Sequence, residues 1–297
     1  PALPLAGWAL TAASQCCLWL FGFLELLARL QPDRFNVSVT PAFGVVLLAM
    51  AGGAMVMLPR GAPGRLAGVV LMLPFLWPHS VRPGNGDVRL DFLDVGQGMA
   101  VLLNTSNYQL IYDTGPGNGL AGEAGWDMVQ TSILPAIRAS GREPDLIIAS
   151  HADLDHAGGL LTLRSLFPSA AVMASLPLKP EGIEACRFPG SWQADSLSFR
   201  VLHPTAGLPY LGNDSSCVLS VRSRQFSLLL SGDISHVVEK RLVANRIGQV
   251  DVMTVPHHGS SSSSSEELLA ALRSDWALIS AGIDNRFDFP RQDVLER

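Results

Sequence analysis

At 297 residues the chain has room for one large domain or two smaller ones. Its formal net charge of −5 argues against a protein that coats nucleic acid through a broadly basic surface, although a local basic patch is compatible with it. Hydrophobic residues make up 48% and charged residues only 16%, because charge is nearly absent from the amino-terminal part. The chain therefore divides into an apolar part and an ordinary globular part.

Residues 1–81 are predicted to form a membrane region. Hydrophobic stretches at about 3–30, 40–58 and 66–80 predict two or three helices that span the bilayer or lie at its interface. Because the chain starts at Pro1 without a methionine, we expect a piece of a longer membrane protein.

Two features of the region bear on packing and topology. Gly44, Gly52 and Gly53 lie in the second stretch and would allow a neighbouring helix to approach closely. Arg60 and Arg65 lie in the connection to the third stretch, which has no acidic residue. Positive charge favours the cytoplasmic side for this connection, so the part of the chain after the third stretch is expected outside the cytoplasm if that stretch crosses the membrane.

A turn-rich linker at 82–87 leads to a second domain at 88–297, which we expect to be incomplete at its carboxyl end. Short strands are predicted first, and helices and strands then alternate, which indicates an α/β fold with sheets covered by helices. The predicted strands are 88–95, 99–104, 108–113, 145–150, 170–175, 198–203, 217–222, 225–231 and 250–255, and the predicted helices are 126–140, 157–167 and 234–246, with a further helix starting at Glu266.

Acidic and imidazole side chains follow three of these strands. The clusters are His151, Asp153, Asp155 and His156 after 145–150, Asp233 after 225–231, and His257 and His258 after 250–255. In an ordinary loop such side chains repel one another, and burying them costs free energy. A divalent cation bound between them removes that cost. Because strand ends in α/β folds meet at one edge, the clusters are expected to form one metal site.

The same residues carry a family resemblance. The run His151-Ala-Asp-Leu-Asp-His156, followed by two glycines, resembles the first metal motif of the metallo-β-lactamase superfamily. Asp113 in Ile-Tyr-Asp-Thr-Gly, Asp233 in Ser-Gly-Asp and His257 in Pro-His-His-Gly resemble its other motifs. This resemblance implies an αββα sandwich, here preceded by the transmembrane or interfacial helices.

A narrower resemblance is carried by three motifs. Residues 91–98 (Asp-Phe-Leu-Asp-Val-Gly-Gln-Gly), 213–219 (Asn-Asp-Ser-Ser-Cys-Val-Leu) and 257–261 (His-His-Gly-Ser-Ser) resemble the ComEC family of DNA-uptake competence proteins. That family joins an inner-membrane channel to such a hydrolase domain. The resemblance implies an exonuclease-like DNase that degrades the non-imported strand during natural transformation. It also implies single-stranded DNA, the membrane, the channel formed by the rest of the polypeptide, and competence DNA-receptor proteins as partners.

Chemistry and resemblance together assign roles to the motif residues. The expected metal ligands are His151, Asp153, Asp155, His156, Asp233, His257 and Asp214, and the expected catalytic residues are Asp155, Asp233 and His258. Asp233 is expected to bridge two divalent ions, which activate water and clamp a phosphate. His258 is expected to orient His257 or to meet substrate. Asp153 offers oxygen where the superfamily usually has histidine, which makes manganese a rival to zinc.

Supporting roles are expected for a further set: Asp113, Asp94, Gln97, Asn213, His203 and Ser260. Asp113 is expected to orient a metal-binding histidine. A structural role for His203 and turn stabilisation for Asp94 and Gln97 compete with roles at the site. Before Pro290 the sequence has Phe289 where the resemblance leads us to expect a histidine.

Two alternatives stay open. One is a membrane-bound metallo-hydrolase of a small ester, thioester or lactam, which would have an enclosed apolar pocket. The other is a module without catalysis that braces the channel. Cys186 and Cys217 pair only if their compartment is oxidising.

Overall fold

The computed structural model describes residues 14–15, 18–19, 22, 43–59, 63–76, 83–84, 87–117, 126–178 and 180–297. The chain divides into two compact units, Pro1–Pro78 and His79–Arg297.

The first unit contains a pair of packed helices. Its described elements are α1 (Phe43–Val56), α2 (Arg65–Met72) and a 3₁₀ turn (Leu73–Leu76). These lie in or overlap the second and third predicted stretches, whereas almost all of 3–30 lies outside the described residues. No helix in the described part of the chain is both long enough and apolar enough to cross a membrane. The membrane spans stay predictions.

Glycine sets the distance between α1 and α2. A Cβ added to Gly52 would lie 2.5 Å from the carbonyl oxygen of Gly68, a separation that real Cβ atoms do not show. The two backbones therefore touch at these glycines, as small residues allow. Gly44 and Gly53, expected to help, have no described neighbour within 4 Å of their Cβ positions.

The described part of the second unit forms two six-stranded sheets. The first has the order β1-β2-β3-β4-β5-β6: β1 (Arg89–Phe92), β2 (Val101–Asn104), β3 (Gln109–Tyr112), β4 (Leu146–Ala149), β5 (Ala171–Ala174) and β6 (Glu184–Ala185). The second has the order β12-β11-β10-β9-β8-β7: β7 (Gly190–Ala194), β8 (Leu197–His203), β9 (Val218–Arg222), β10 (Ser227–Leu230), β11 (Val252–Thr254) and β12 (Trp276–Leu278). Neighbours are parallel from β3 to β6 and from β10 to β12, and antiparallel elsewhere.

The helices below are those of the described residues in this unit. They are α3 (Leu134–Ser140, preceded by a π turn at Val129–Ile133), α4 (Leu154–Ala157), α5 (Leu160–Leu166), α6 (His236–Ala244), α7 (Glu266–Leu272) and α8 (Gln292–Glu296). Residues of α3 and α5 share a buried core with the first sheet, and residues of α6 and α7 share another with the second sheet.

Side chains that alternate between the two faces of each strand explain the sandwich. In β2, Val101 and Leu103 pack in the core between the sheets, while Leu102 packs in the core under α3 and α5. In β10, Leu230 packs between the sheets and Leu229 packs under α6 and α7. Successive side chains of a strand point to opposite faces, so strands apolar on both faces demand a layer on each side. The expected αββα sandwich is confirmed.

Three strands were not predicted from the sequence, namely β6, β7 and β12. All three lie at an edge of their sheet. An edge strand has one neighbour and meets solvent along its other side, so it needs no continuous apolar run. In β7, for example, the exposed Ser191 and Gln193 interrupt the apolar pattern.

Candidate metal centre

Three loops that follow strands meet at one edge of the sandwich. The run that begins with His151 follows β4, Asp233 follows β10, and His257 with His258 follows β11. The structure therefore brings together the three clusters that the sequence distributes over more than a hundred residues.

Five side chains of the described residues form two groups able to hold a metal ion. The groups are His151, His156 and Asp233, and Asp155, His156 and His258, with candidate ligand atoms within 4.8 Å of one another in each. Asp233 faces both groups, because its Oδ1 lies 3.1 Å from His156 Nε2 and its Oδ2 lies 3.4 Å from His258 Nε2. One carboxylate thus presents an oxygen to each group.

Hydrogen bonds turn two imidazole rings so that Nε2 faces the cluster. His156 Nδ1 lies 2.7 Å from Asp113 Oδ2, and His258 Nδ1 lies 2.6 Å from the carbonyl oxygen of Ser280. A carboxylate or carbonyl oxygen only accepts, so each Nδ1 carries the donated proton. In the neutral ring, Nε2 then offers its lone pair to the cluster.

Two buried atoms of the cluster have no hydrogen-bond partner among the described residues, His151 Nε2 and Asp233 Oδ1. Asp233 Oδ1 lies near His156 Nε2, but the two atoms do not have the alignment of a hydrogen bond. An unsatisfied buried polar atom costs about 1–3 kcal/mol. A divalent cation between these atoms removes that cost, and imidazole nitrogen with carboxylate oxygen suits zinc or manganese. The residues therefore fit a metal ion.

Without a metal ion the cluster holds protons. Burial lowers the pKa of His156 and of His258, but nearby carboxylates, above all Asp233, outweigh it and raise both pKa values above the ordinary histidine value. Burial acts to raise the pKa of Asp155, yet its contacts with His258 and His156 bring it below the usual carboxyl value. The same histidines hold the pKa of Asp233 far below its usual range against the effect of burial. Metal binding must therefore displace protons.

Two buried serines that the sequence did not single out position these residues. Ser150 donates from its backbone nitrogen to Asp113 Oδ1 at 2.6 Å and from its hydroxyl to Asp113 Oδ2 at 2.9 Å. The Ser216 hydroxyl accepts from the backbone nitrogen of Asp233 at 3.0 Å. The Ser216 hydroxyl also lies 3.4 Å from His151 Nδ1. The signal for Ser216 was its place in the motif at 213–219.

A glycine lets the Asp233 loop approach Ser216. Gly232 has φ 56°, and a Cβ there would lie 2.7 Å from the Ser216 Cβ. Both the left-handed backbone and the close approach require glycine, which explains the Ser-Gly-Asp motif.

Of the two neighbouring histidines, the structure places His258 and not His257 in a group able to hold a metal ion. His258 is buried and belongs to the second metal-capable group, whereas the His257 side chain is 27% exposed and its Nε2 lies 4.0 Å from Asp233 Oδ2. The physical reason is the backbone: both residues have positive φ (51° and 55°), and the turn after Pro256 directs the second ring inward. His257 lies at the rim, 3.3 Å from Asn213 Nδ2.

Asp153, one of the expected ligands, lies outside both metal-capable groups. It precedes α4, its side chain is 53% exposed, and its Oδ2 lies 3.6 Å from His151 Nε2. The contact with His151 lowers the pKa of Asp153. The cluster therefore contains less oxygen than the sequence suggested.

Asp214, another expected ligand, also lies outside both groups. Its Oδ1 accepts from the backbone nitrogen of Ser235, next to α6, at 2.9 Å. His203 Nε2 donates to the backbone oxygen of Asp214 at 2.8 Å, and burial lowers the pKa of His203. These two residues hold loops together.

Three further candidates lie outside the two metal-capable groups. Asp94 accepts from the backbone nitrogen of Gly96 at 3.1 Å, which is a turn interaction. Gln97 Oε1 accepts from the backbone nitrogen of Gly282 at 3.2 Å, and Gln97 also lines the groove above the cluster. Ser260 lies beside Ser262, with 3.0 Å between the hydroxyl oxygens.

The cluster opens into a groove of about 960 Å³. Its walls include Trp126, Asp155, His257, Arg286, Phe287 and Phe289. The groove is open to solvent and bordered by exposed side chains, unlike an enclosed apolar pocket.

A disulfide joins the two sheets close to this edge. Cys186 follows β6 in the first sheet, and Cys217 precedes β9 in the second. Both sulfur atoms lie in the core between the sheets, and the Cys217 backbone nitrogen donates to the Ser150 oxygen at 2.8 Å. The pairing that the sequence left open is present.

Comparison with known proteins gives the family. Residues 93–282 match the family model described as the metallo-beta-lactamase superfamily. Competence protein ComA of Neisseria gonorrhoeae is 32% identical over 93% of this chain and 38% of its own length. Recombination protein 2 of Haemophilus influenzae is 35% identical over 70% of this chain and 26% of its own length. The chain thus spans about a third of the length of these curated relatives.

Among solved structures, the metallo-beta-lactamase fold protein YhfI from Bacillus subtilis superposes with a TM-score of 0.43 at 11% identity. The match covers 70% of this chain and 93% of that one. The resemblance to the ComEC family is confirmed by the competence-protein relatives. The chain belongs to the metallo-β-lactamase superfamily and is a metal-dependent hydrolase related to competence proteins.

Proposed function

We propose that this domain hydrolyses phosphodiester bonds of DNA with two divalent metal ions. The observation that carries the proposal is Asp233, whose Oδ1 lies 3.1 Å from His156 Nε2 and whose Oδ2 lies 3.4 Å from His258 Nε2. His151 and His156 would hold one ion, Asp155 and His258 the other, and Asp233 both. Two such ions, when bound, supply a nucleophilic water at neutral pH and stabilise the charge of a phosphodiester in the transition state.

The remaining side chains prepare the cluster. Asp113 fixes the proton of His156 on Nδ1, and the Ser280 carbonyl does the same for His258. Ser216 holds the Asp233 backbone. Because three imidazoles stand beside two carboxylates, and Asp153 is outside the groups, we propose zinc or manganese without the strong bias to manganese that Asp153 as a ligand would give.

DNA as the substrate is proposed from two sources. The relatives are named for competence and recombination, and the motifs at 91–98, 213–219 and 257–261 resemble the ComEC family. The open groove supports a polymeric substrate, since we expect an enclosed pocket for a small ester or lactam. The domain would degrade the strand that is not imported, beside a channel formed by the rest of the polypeptide and with DNA-receptor proteins as partners.

We also propose that the domain lies outside the cytoplasm, attached to the bacterial inner membrane. The Cys186–Cys217 disulfide supports this location, since disulfides persist in oxidising compartments. The arginines between the second and third apolar stretches support the same orientation. The test is a reporter enzyme that works only in the cytoplasm, fused after Arg82. Activity of this fusion would refute this part of the proposal.

The test of the function uses the full chain with linear single-stranded DNA. Metal content is measured first, then cleavage is followed with no addition, with chelator, and with manganese or zinc restored. Cleavage that chelator abolishes and a divalent ion restores supports the proposal. A folded, metal-loaded protein that leaves DNA intact but opens a small ester or lactam overturns it in favour of the small-substrate hydrolase.

A further inference from the structure

A row of side chains leads from the metal centre along one wall of the groove. The rings of His257 and Phe289 pack edge to face with 5.7 Å between centroids. Phe289 and Phe287 stack with 5.5 Å between centroids and 18° between planes, and Arg286 Cζ lies 4.6 Å from the Phe287 centroid. We call His257, Phe289, Phe287 and Arg286 the aromatic row. Phe289 stands at the position where the sequence led us to expect a histidine.

The loop that carries the row is held in place by Asn285. Its Oδ1 accepts from the backbone nitrogens of Phe287 and Phe289 at 3.2 and 3.1 Å. Its Nδ2 donates to the Gly282 and Phe289 carbonyl oxygens at 2.9 and 2.6 Å. These bonds fix the backbone that presents the two rings, so their positions are set before a ligand arrives.

The row remains open to solvent. Phe287 is 38% exposed, and Trp126, which lines the same groove, is 62% exposed. Apolar rings that are held on a fixed loop and left exposed beside a reactive centre are suited to contact a ligand.

The charged side chains of the groove indicate which class of ligand it binds. Among the described residues that line the groove, Arg286 is the only arginine or lysine, and the acidic Asp153, Asp155 and Asp233 line it as well. A strand held mainly through its phosphates needs many cations. Flat rings instead bind the faces of nucleobases without regard to sequence, and a guanidinium adds a stacking or phosphate contact.

We propose that the aromatic row and Trp126 bind nucleobases of single-stranded DNA and so place the adjoining phosphodiester at the metal centre. The proposal rests on the proposed function for the reaction but concerns binding. In a duplex the base faces are covered by their neighbours, so double-stranded DNA cannot use the row. The row therefore selects single strands.

The test measures binding without cleavage. Binding of a labelled single-stranded oligonucleotide to the full chain is measured by fluorescence anisotropy in the presence of chelator. The same measurement is made with an oligonucleotide of equal length that lacks its bases. We expect the parent to prefer the ordinary oligonucleotide. Phe287→Leu should weaken that binding about tenfold and leave binding of the abasic strand unchanged, while Phe287→Trp should retain the preference. Trp276→Leu, an exposed ring on β12 outside the groove lining, is the matched control.

The outcomes separate the two proposals. Equal affinity of the parent for the two oligonucleotides, or parental affinity in a folded Phe287→Leu, overturns the binding proposal even if DNA is cleaved. Binding that depends on Phe287, together with intact DNA after metal loading, supports the binding proposal and defeats the nuclease. Thermal melting checks folding. If Phe287→Leu does not fold, Trp126→Leu takes its place: we expect it to weaken binding about tenfold, and parental affinity in this variant would overturn the binding proposal.

Discussion

Asp113 and His156 are joined by a buried contact of 2.7 Å between Oδ2 and Nδ1, and both side chains are fully excluded from solvent. The contact decides which nitrogen of His156 carries the proton. Ser150 donates twice to the same carboxylate, so the carboxylate has no freedom to turn away.

Asp113→Asn should weaken metal binding about 10- to 100-fold, the usual effect of losing a partner of a metal-bound histidine. Asparagine tolerates the left-handed backbone of this position (φ 62°). With its oxygen kept for the Ser150 amide, the new NH₂ group faces His156 Nδ1 and favours the tautomer with the proton on Nε2. Metal affinity is measured by competition with a chromophoric chelator, and parental affinity in the variant would contradict this role.

Asp233→Asn should lose one of two metal ions and DNA cleavage, because an amide cannot bridge two cations. Asp155→Asn should also lose cleavage, and the transition-state stabilisation lost in each is on the order of several kcal/mol. Asp275→Asn, an exposed carboxylate away from the groove, is the control. Metal analysis and cleavage rates are compared across the three variants. Two retained ions in Asp233→Asn would exclude the bridge.

Alanine variants of His257 and His258 test which of the two histidines binds metal. His258→Ala should bind metal more weakly, since its Nε2 faces Asp155 and Asp233 at 3.4 Å. His257→Ala should keep its metal content and lose activity through weaker substrate binding, visible as a higher KM. The reverse pattern in metal analysis would assign His257 and not His258 as the ligand.

The sequence predicted the strands with apolar residues on both faces, because burial on two sides leaves a continuous pattern. It also predicted that His151, Asp155, His156 and Asp233 meet, because strand order brings their loops to one edge. The choice between His257 and His258 depends on two φ angles, which composition does not reveal. The contacts of Asp195, an exposed turn residue whose Oδ1 and Oδ2 accept from Asn107 in a distant turn, likewise depend on the fold and not on the local sequence.

A rise in pH should change the stability of the metal-free protein and the apparent affinity for metal in opposite directions. The pKa values of His156 and His258 are raised in the metal-free fold, so protonation stabilises it fully below the unfolded value of about 6.5 and less as pH rises through the folded values. Thermal stability in chelator should therefore fall between about pH 6 and the alkaline range. Apparent metal affinity should rise over the same range, because fewer protons must be displaced. Melting curves and metal titrations at several pH values test both trends, and metal affinity that falls as pH rises would contradict the assigned ligands.

Removal of the disulfide should destabilise the domain and loosen the metal centre. Cys186 and Cys217 are separated by 31 residues and link the two sheets, and loss of such a bridge typically costs about 2–4 kcal/mol. Cys217 is adjacent to Ser216, which positions Asp233, so metal affinity should fall as well. The double variant Cys186→Ala, Cys217→Ala is compared with the parent by denaturant unfolding and metal titration, each with and without reductant. Reductant should bring the parent close to the variant and leave the variant unchanged. A parent whose unfolding midpoint is the same in reductant, with both thiols shown to be free, would mean that packing between the sheets alone holds this edge of the site.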